Sequence, residues 1–390
     1  MTTATTAAGL RAVTREVDPP ADVLSALGPD GVAWLHDGAE FTTAGVVTRV
    51  AAEEAVAFLA SIEHDDDPGL PGAGPRAIGA LPFDPDASAT VLIPSRIVGR
   101  TADGRGWVTE VGSLDTAPPR SDGPPTSYTV HADSTREEWS AAVLQALESI
   151  DRGDLAKVVL ARRVTVEADQ PFDRRDALAR LRAQQPGCFV FAADGMIGAT
   201  PELLVARHGA RVIARPMAGT AVAGTDPEEL GESEKQTWEH RLVVAAILDV
   251  LRPRCERLDA PAQPEIDEFA DVAHLATPIH GTLRDPAPDA LELARALHPT
   301  PAVAGTPTRT ALAAIARLEP HSRGRYAGPV GWVDGRGDGE WGVALRCAAV
   351  DGHRAVLHSG AGIVAGSDPD AEWAETEAKL DPMLRALVRP

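Results

Sequence analysis

The sequence predicts an α+β fold, in which large antiparallel sheets pack against helices. Strand-like runs follow one another as hairpins over residues 189–215 and as a meander over residues 328–366. Amphipathic helical segments separate these runs irregularly, without the regular strand–helix–strand alternation of a doubly wound parallel sheet. The chain has 390 residues, 44% of them hydrophobic, which is enough for a sizeable core.

Charge and cysteine content exclude several classes of protein. The net charge is −20, from 57 acidic against 37 basic residues. Because nucleic-acid binding needs a basic surface, we expect no nucleic-acid partner, and no anionic membrane surface as partner. No signal peptide or membrane-spanning run is recognisable, so we expect a cytoplasmic protein. Three widely spaced cysteines, Cys188, Cys255 and Cys347, are then expected to be reduced, buried thiols.

The first part of the chain gives the weakest signals. Residues 63–76 and 113–127 are rich in proline and turn formers, so they are expected to be exposed loops. The short apolar runs of residues 79–96 suit strands. We therefore divide the chain into an N-terminal part of the fold, residues 1–128, and a second region, residues 129–390.

The first clear helix follows Thr135. Glu138 stands three residues after this threonine, which is a capping-box pattern, and apolar residues then recur at helical spacing up to Gly153, a plausible stop. The β-branched segment 156–167 that follows predicts a strand.

The remaining elements continue to the C-terminus. We predict a strand at 189–194, further strands in the run from Ile197 to Arg215, the meander, and four helices, at 233–255, near 287–297, at 308–318 and at 368–380.

Two charged residues occupy apolar surroundings. Lys157 begins the strand KVVLARR, and Glu202 lies in GATPELLVAR, between a proline and two leucines. From the residues alone, Lys157 is either a strand-edge charge that reaches water or a desolvated base. Glu202 is either a turn acid or a carboxyl group whose pKa is raised by apolar surroundings, so that it can donate a proton.

Further acids lie on two of the predicted helices. Glu239 falls within an apolar helical stripe, where it is either the polar edge of the stripe or a functional group. Glu372, Glu375 and Lys379 share one face of the C-terminal helix, whereas Glu377 lies on another. Such a face is either a solvated surface with one ion pair or a functional site. Walker, GxGxxG, HExxH and GxSxG motifs are absent from the sequence.

In their order along the chain, these segments resemble the chorismate-utilising enzymes, which include isochorismate, salicylate, anthranilate and aminodeoxychorismate synthases. The resemblance covers roughly residues 130–388, and GALPFDP (79–85) is similar to an N-terminal segment of isochorismate synthases. Its motifs are KVVLARR, GATPELL, RPMAGT, TWEHRLVV, VAHLATPIHG, LHPTPAVAGTP, RGRYAGPVGWVDG, GEWGVALR, HSGAGIVAGSDP and EWAETEAKL. It implies one large unit of antiparallel sheets and outer helices around a deep cleft.

The resemblance also implies a role for each matching residue. Lys157 matches the base that deprotonates the attacking water, and Glu202 matches the acid that protonates the departing hydroxyl. Glu239, Glu372 and Glu375 match the acidic positions around Mg²⁺, which holds a carboxylate of the substrate. The positions that match contacts to the substrate are Thr220, His274, Thr277, Tyr326, Arg346, Gly360, Gly362 and Lys379.

Within the resemblance, isochorismate synthases are the most similar members. The ammonia-using members generally lack a lysine at the position of Lys157, and Ala218 stands where the aminodeoxychorismate type has a covalent lysine. We therefore expect chorismate as substrate, water as nucleophile, Mg²⁺ as cofactor, no glutaminase subunit and a monomer. Salicylate synthase and a non-catalytic binding subunit are the alternatives. Siderophore and menaquinone synthesis both remain open as pathways.

Overall fold

The computed structural model describes residues 9–65, 70, 72–112, 125–222, 227–269 and 272–388. Within these ranges the strands are Arg11–Val17 (β1), Ala33–His36 (β2), Ala39–Ala51 (β3), Glu63–Asp65 (β4), Arg76–Ala80 (β5), Thr90–Arg100 (β6), Gly106–Val111 (β7), Tyr128–Ala132 (β8), Lys157–Ala168 (β9), Phe189–Ala193 (β10), Met196–Thr200 (β11), Leu203–His208 (β12), Arg211–Arg215 (β13), Met217–Val222 (β14), Cys255–Asp259 (β15), Glu265–Glu268 (β16), Val272–Ala276 (β17), Ile279–Leu283 (β18), Gly305–Thr306 (β19), Pro329–Asp334 (β20), Gly339–Val343 (β21), Cys347–Asp351 (β22) and Arg354–Ile363 (β23).

The helices surround these strands. They are Ala55–Ala60 (α1), Arg136–Asp151 (α2), Arg174–Gln184 (α3), Pro227–Glu232 (α4), Glu234–Leu251 (α5), Ala290–Leu297 (α6), Thr308–Leu318 (α7) and Pro369–Leu387 (α8), with short 3-10 turns at Val23–Ala26, Ala52–Glu54 and Arg252–Arg254.

The strands form one large sheet, which divides into two arms, and a separate three-stranded sheet. The first arm runs from β6 through β3, β2, β10, β11, β22 and β23 to β9. The second arm runs from β6 through β5, β20, β21, β12, β13 and β18 to β15. All pairings are antiparallel among the described residues except that of β1 with β4. The prediction of an α+β fold with large antiparallel sheets is confirmed.

Each arm of the large sheet combines strands from distant parts of the sequence. Strand β2 pairs with β10, and β5 pairs with β20, so the N-terminal part contributes strands to the same sheet as the second region. Strand β9 lies between β23 on one side and β8 with β19 on the other. The small sheet, in the order β14–β17–β16, packs against α5. As a result, α5, α8, β9 and β23 are brought together.

The local signals for helices α2 and α5 are largely confirmed. The hydroxyl of Thr135 accepts a hydrogen bond from the Glu138 N–H and the Glu138 carboxylate accepts one from the Thr135 N–H, which completes the predicted capping box. Helix α5 is shorter than the predicted 233–255, because Pro253 lies in a 3-10 turn and Cys255 already begins β15.

Two predicted strand runs contain a break that was not predicted from the sequence. The run from Ile197 to Arg215 is interrupted at Pro201–Glu202 as well as at the turn between β12 and β13, and the meander of residues 328–366 is interrupted before Cys347. Arg346, in the second break, has a φ of 45°, which is unusual for a residue other than glycine. Both breaks supply residues of the site described below.

The loop predictions are only partly testable. Residues 66–69, 71 and 113–124 lie outside the described residues. Residues 63–65 are exposed as expected, but they form the edge strand β4 rather than a loop. Residues 70 and 73–76 are buried, and Arg76 already begins β5, so the prediction of an exposed loop is wrong for them. All three cysteines are free and buried, as predicted. None of the helices in the described ranges is both long and apolar enough to cross a membrane.

Candidate active site

A cleft of about 770 Å³, measured with its open mouth, lies where β14, β17 and β23 meet α5 and α8. Polar and charged groups form much of its wall. Its lining includes Glu202, Thr220, Glu239, His274, Arg323, Tyr326, Arg346, His358, Ser359, Gly360, Gly362, Glu375 and Lys379. Most of the residues singled out in the sequence therefore meet in one place, although they come from positions 202 to 379.

Lys157 is buried behind the wall of this cleft, with 1% of its side chain exposed. Its Nζ lies 2.7 Å from Oε1 of Glu239, which reaches it from α5. The lysine stands at the first position of β9, and β23 runs antiparallel to β9 beside it. Lys157 is thus neither exposed nor at a free strand edge, so the interpretation as a strand-edge charge that reaches water is wrong.

Gly362 on β23 makes the contact between Lys157 and Glu239 possible. A Cβ atom at this position would lie 2.4 Å from Oε1 of Glu239 and 3.0 Å from Cε of Lys157. Both distances are shorter than normal van der Waals separations, so any side chain would push the pair apart. The absence of a side chain at residue 362 is therefore part of the geometry of the site.

Glu202 lies in the break between β11 and β12 and is 3% exposed. Burial raises the pKa of its carboxyl group to about 7, although the Met217 N–H and the charges of Lys157 and Lys379 act in the opposite direction. Its Oε1 has no hydrogen-bond partner among the described residues. Glu202 is thus a buried acid that holds its proton near neutral pH, as the functional interpretation of this residue predicts.

The C-terminal helix α8 brings two further carboxylates and a lysine to the site. Glu375 lines the cleft and accepts a hydrogen bond of 2.6 Å from Lys379, which also reaches the carbonyl oxygen of Gly360 at 3.3 Å. Glu372, one turn earlier, is buried, and Nζ of Lys235 lies 3.0 Å from its Oε1. Burial, reinforced by the charge of Glu375, raises the pKa of Glu372, whereas Lys235 and Ser367 oppose this shift.

The chain contains few lysines, and all of them lie at this site. The sequence contains three lysines among its 37 basic residues, and the others are arginines. Each lysine contacts one of the three glutamates that were predicted as metal ligands: Lys157 contacts Glu239, Lys235 contacts Glu372 and Lys379 contacts Glu375. A fixed arrangement of three ammonium groups and three carboxylates therefore lies along one side of the cleft.

The same carboxylates suit a divalent cation in their chemistry. Three glutamates supply the hard oxygen donors that Mg²⁺ prefers, and mutual repulsion between Glu372 and Glu375 is relieved by a nearby cation. Their oxygens are directed at the lysines, however, and no group of three acidic, histidine or cysteine side chains in the described part of the chain is already arranged to hold a metal ion. The donor set fits Mg²⁺, but ion binding requires these carboxylates to exchange partners.

A histidine and an arginine form the opposite part of the wall. His274 on β17 stands across from Thr220 on β14, and its Nδ1–H donates to the carbonyl oxygen of Gly219 at 3.1 Å. Its Nε2 then accepts from Nη2 of Arg346 at 3.0 Å. Burial and the charges of Arg346 and Lys379 hold the pKa of His274 well below its ordinary value. His274 is consequently a neutral acceptor that orients the Arg346 guanidinium at the cleft.

The floor of the cleft contains stacked rings. Tyr326 is buried, and its ring lies parallel to that of His358, with the ring centroids 5.2 Å apart. Burial raises the pKa of the Tyr326 hydroxyl and lowers the pKa of His358 to about 3, so both rings are uncharged. Arg323 adds a buried charge beside them, which is held by the carboxylate of Glu319.

Three of the predicted site residues do not line the cleft itself. Lys157 and Glu372 lie behind its wall, each in contact with a partner described above. Thr277 is buried, and its hydroxyl group lies 2.7 Å from Nε2 of His240. Through His240, Thr277 contacts α5, the helix that carries Glu239. The remaining predicted residues all line the cleft.

Several residues of the site were not predicted from the sequence. His358, Ser359 and Arg323 line the cleft, and Lys235 contacts Glu372. For Lys235 a signal was present, because lysine is so scarce in the chain that each of its three positions is informative.

Comparison with known proteins gives a consistent result. A family model described as "Chorismate binding enzyme" matches residues 105–388. A putative isochorismate synthase MenF from Mycobacterium tuberculosis is 42% identical over 340 residues, which cover 81% of this chain and 87% of that protein. Isochorismate synthase DhbC of Bacillus subtilis is 37% identical, over 80% of this chain and 81% of that protein.

Solved structures agree with the sequence relatives. The crystal structure of a putative 2,3-dihydroxybenzoate-specific isochorismate synthase from Bacillus anthracis is similar with a TM-score of 0.81 and 35% identity, over 94% of this chain and 98% of that one. The menaquinone-specific isochorismate synthase MenF of Escherichia coli is similar with a TM-score of 0.82 and 26% identity, over 97% and 95%. Anthranilate synthase component I from Streptococcus pneumoniae, at 22% identity and a TM-score of 0.71, shares the fold.

Proposed function

The chain belongs to the family of chorismate-binding enzymes, and on that premise we propose that it is an isochorismate synthase. The relatives whose names support this activity cover about four fifths of the chain, and the two more similar structures cover almost all of it. One of the two structures is named as menaquinone-specific and the other as 2,3-dihydroxybenzoate-specific, so the proposal concerns the reaction and leaves the pathway open.

One observation carries the proposal. A buried glutamic acid, Glu202, lines the cleft with its pKa raised to about 7, and a buried lysine, Lys157, lies directly behind the wall of the same cleft. A reaction that adds water at one carbon and removes hydroxide at another needs one group that accepts a proton and one that donates it. Glu202 can donate the proton near neutral pH, and Lys157 is the amine placed to accept one.

The proposed reaction balances in atoms and charge. Lys157, acting as the uncharged amine, accepts a proton from a water molecule, whose oxygen forms a bond to C2 of chorismate. The ring double bond shifts, the bond between C4 and its hydroxyl oxygen breaks, and Glu202 donates its proton to the departing hydroxide. One water is consumed and one is released, so the product is the isomer isochorismate. Proton transfer by each of the two residues contributes roughly 10²–10⁴-fold to such a rate.

The cationic residues at the cleft explain how an acidic protein binds a dicarboxylate. Because salt screens charges beyond about 8 Å, the charges close to the substrate decide whether it binds. Arg346 and Lys379 line the wall near the neutral His274, and Arg323, paired with Glu319, also lines the cleft. Thr220, Tyr326, Gly360 and Gly362 shape the rest of the surface against which the ring would lie. Glu239, Glu372 and Glu375 would hold Mg²⁺, which supplies positive charge for one carboxylate of the substrate when it is bound.

Water, rather than ammonia, is the proposed nucleophile. Ala218 lines the cleft, where it leaves no amino group that could form a covalent intermediate. The similarity to the anthranilate synthase component is limited to the fold at 22% identity. The proposed enzyme accordingly needs no ammonia-supplying subunit and acts as a monomer.

Product analysis tests this proposal directly. The purified chain is incubated with chorismate and Mg²⁺ in the absence of any other protein, and the products are separated by liquid chromatography. We expect isochorismate as the main product, and its loss in Lys157→Ala. Salicylate and pyruvate as main products would assign the chain to the salicylate synthases, and binding of chorismate without turnover would indicate a non-catalytic subunit.

A further inference from the structure

Lys235 stands apart from the other two lysines of the site. It lies on α5 one turn before Glu239, and its Nζ reaches across to Glu372 on α8 at 3.0 Å. The proposed reaction gives Lys157 and Lys379 a role, but it assigns none to Lys235. In a chain where all but three of the 37 basic positions are arginine, a lysine in contact with a proposed metal ligand requires an explanation.

The exposed fraction of the side chain distinguishes Lys235 from Lys157. The side chain of Lys157 is 1% exposed and lies behind the wall of the cleft beside β23, so it cannot turn out into bulk solvent. The side chain of Lys235 is 35% exposed, whereas the Glu372 carboxylate that it contacts is 5% exposed. Lys235 can therefore leave the pair by rotation about its flexible stem, and the glutamate stays in place.

The carboxylate left behind would need another cation. Glu372 is buried one turn before Glu375, and the two negative charges repel each other. Separation of a buried ion pair is costly unless a new partner replaces the old one. A divalent cation is such a partner, since it brings more charge than an ammonium group and binds both carboxylates at once.

We propose that Lys235 is the exchangeable counterion of the magnesium site: its ammonium group holds Glu372 in position, and Mg²⁺ displaces it into solvent. This inference rests on the proposed function, because it takes Glu372 as a magnesium ligand. Lys235 is then a positioning residue that keeps a buried carboxylate ready for the ion. It also weakens ion binding, because the ion must compete with it.

Magnesium titration by calorimetry, on the full chain and without chorismate, tests the competition. In Lys235→Met the competing charge is removed, so we expect Mg²⁺ to bind about fivefold more tightly or better, within the range typical of coupling between two sites. Lys235→Arg keeps the charge and should bind Mg²⁺ like the wild type or more weakly. Arg241→Gln removes an exposed positive charge from the same helix and controls for a general charge effect.

Nuclear magnetic resonance gives a second measurement on the unmodified protein. With ¹³C at the lysine ε-carbon, the chain gives three ε-CH₂ signals, one for each lysine, and the signal missing in Lys235→Met identifies Lys235. We expect saturating Mg²⁺ to move the Lys235 signal to the position of a solvated lysine and to narrow it. This readout does not depend on the stability of the variant.

The outcomes separate the inference from the proposed function. If Mg²⁺ binds but neither its affinity in Lys235→Met nor the Lys235 signal changes, Lys235 is a fixed structural partner and the inference is overturned, while the magnesium site stands. If neither the wild type nor Lys235→Met binds Mg²⁺, both the inference and the proposed cofactor are overturned. Tighter binding in Lys235→Met but not in Arg241→Gln supports the inference.

Discussion

Nζ of Lys157 lies 2.7 Å from Oε1 of Glu239, so the proposed base and a proposed metal ligand share one buried contact. The two residues come from different layers, since Lys157 begins a strand of the large sheet and Glu239 lies on the helix that packs against the small sheet. Neither could move independently of the other. Proton transfer and ion binding are therefore expected to be sensitive to the same small displacements.

Gly362 offers the most direct test of this contact. Alanine at this position places a methyl group 2.4 Å from the Glu239 carboxylate, so the carboxylate must move away from Lys157. Since a misplacement of about 1 Å can cost about 10²-fold in rate, we expect kcat/KM of Gly362→Ala to fall by about that factor. Gly231→Ala, where the new methyl group would meet its nearest atom at 3.9 Å, is the matched control. Equal activity of the two variants would contradict the role of this contact.

Glu202 should be essential as a proton donor rather than as a negative charge. Glu202→Gln keeps the shape of the side chain but cannot donate a proton to the leaving group, so we expect kcat to fall by about 10²–10⁴-fold. Circular dichroism should show an unchanged fold. The activity of the wild type should decline as pH rises above about 7, where Glu202 ionises. A variant with near-normal turnover would remove Glu202 from the mechanism.

The same residue makes a prediction about stability. Burial raises the pKa of Glu202 to about 7, whereas the same carboxyl group has a pKa near 4.5 in the unfolded chain. Between these two pH values the folded state therefore binds more protons than the unfolded state. The free energy of unfolding therefore falls as the pH rises from about 4.5 to 7, and this group contributes roughly 3 kcal/mol to the fall.

Glu202→Gln does not titrate, so its stability relative to the wild type should rise by about 2–3 kcal/mol between pH 5 and pH 8. Urea unfolding at both pH values measures the difference. Glu256→Gln, at an exposed position, is the control and should follow the wild type. If Glu202→Gln followed the wild type as well, the carboxyl group would not be protonated in the folded state.

Helix and strand locations could be predicted wherever the signal is local. The capping box at Thr135 and the β-branched residues after Lys157 act within a few residues, and both predictions hold. The break at Pro201–Glu202 and the left-handed backbone at Arg346 were not predicted, because they follow from the register of neighbouring strands. Lys235 and Glu372 are 137 residues apart on two helices, and only the packing of α8 against β23 and of α5 against the small sheet sets their contact.

His274 is expected to affect substrate binding through Arg346. His274→Phe keeps a ring of similar size but removes the Nε2 atom that accepts the Arg346 hydrogen bond at 3.0 Å. Because a hydrogen bond to a charged group contributes about 1.5–3 kcal/mol, we expect KM for chorismate to rise by about tenfold or more, with a smaller change in kcat. Steady-state kinetics with a thermal melt as the folding control would measure this. An unchanged KM would show that Arg346 does not depend on His274.

Glu375 lies on the C-terminal helix, whose charged face could be either a solvated surface or a functional site on the sequence alone. A test of its role in ion binding distinguishes the two. Glu375→Gln keeps the size of the side chain but removes the charge that Lys379 contacts at 2.6 Å and that Mg²⁺ would share. We expect the Mg²⁺ concentration needed for half-maximal activity to rise by about tenfold or more, because each ligand charge contributes to the affinity of a hard cation. Glu377→Gln, on another face of the same helix, is the matched control: its carboxylate is 58% exposed and lies 3.8 Å from Arg162, and its Mg²⁺ requirement should not change. A titration in which both variants behave like the wild type would leave Glu375 as the partner of Lys379 alone, and the ion would then need its ligands from elsewhere in the cleft.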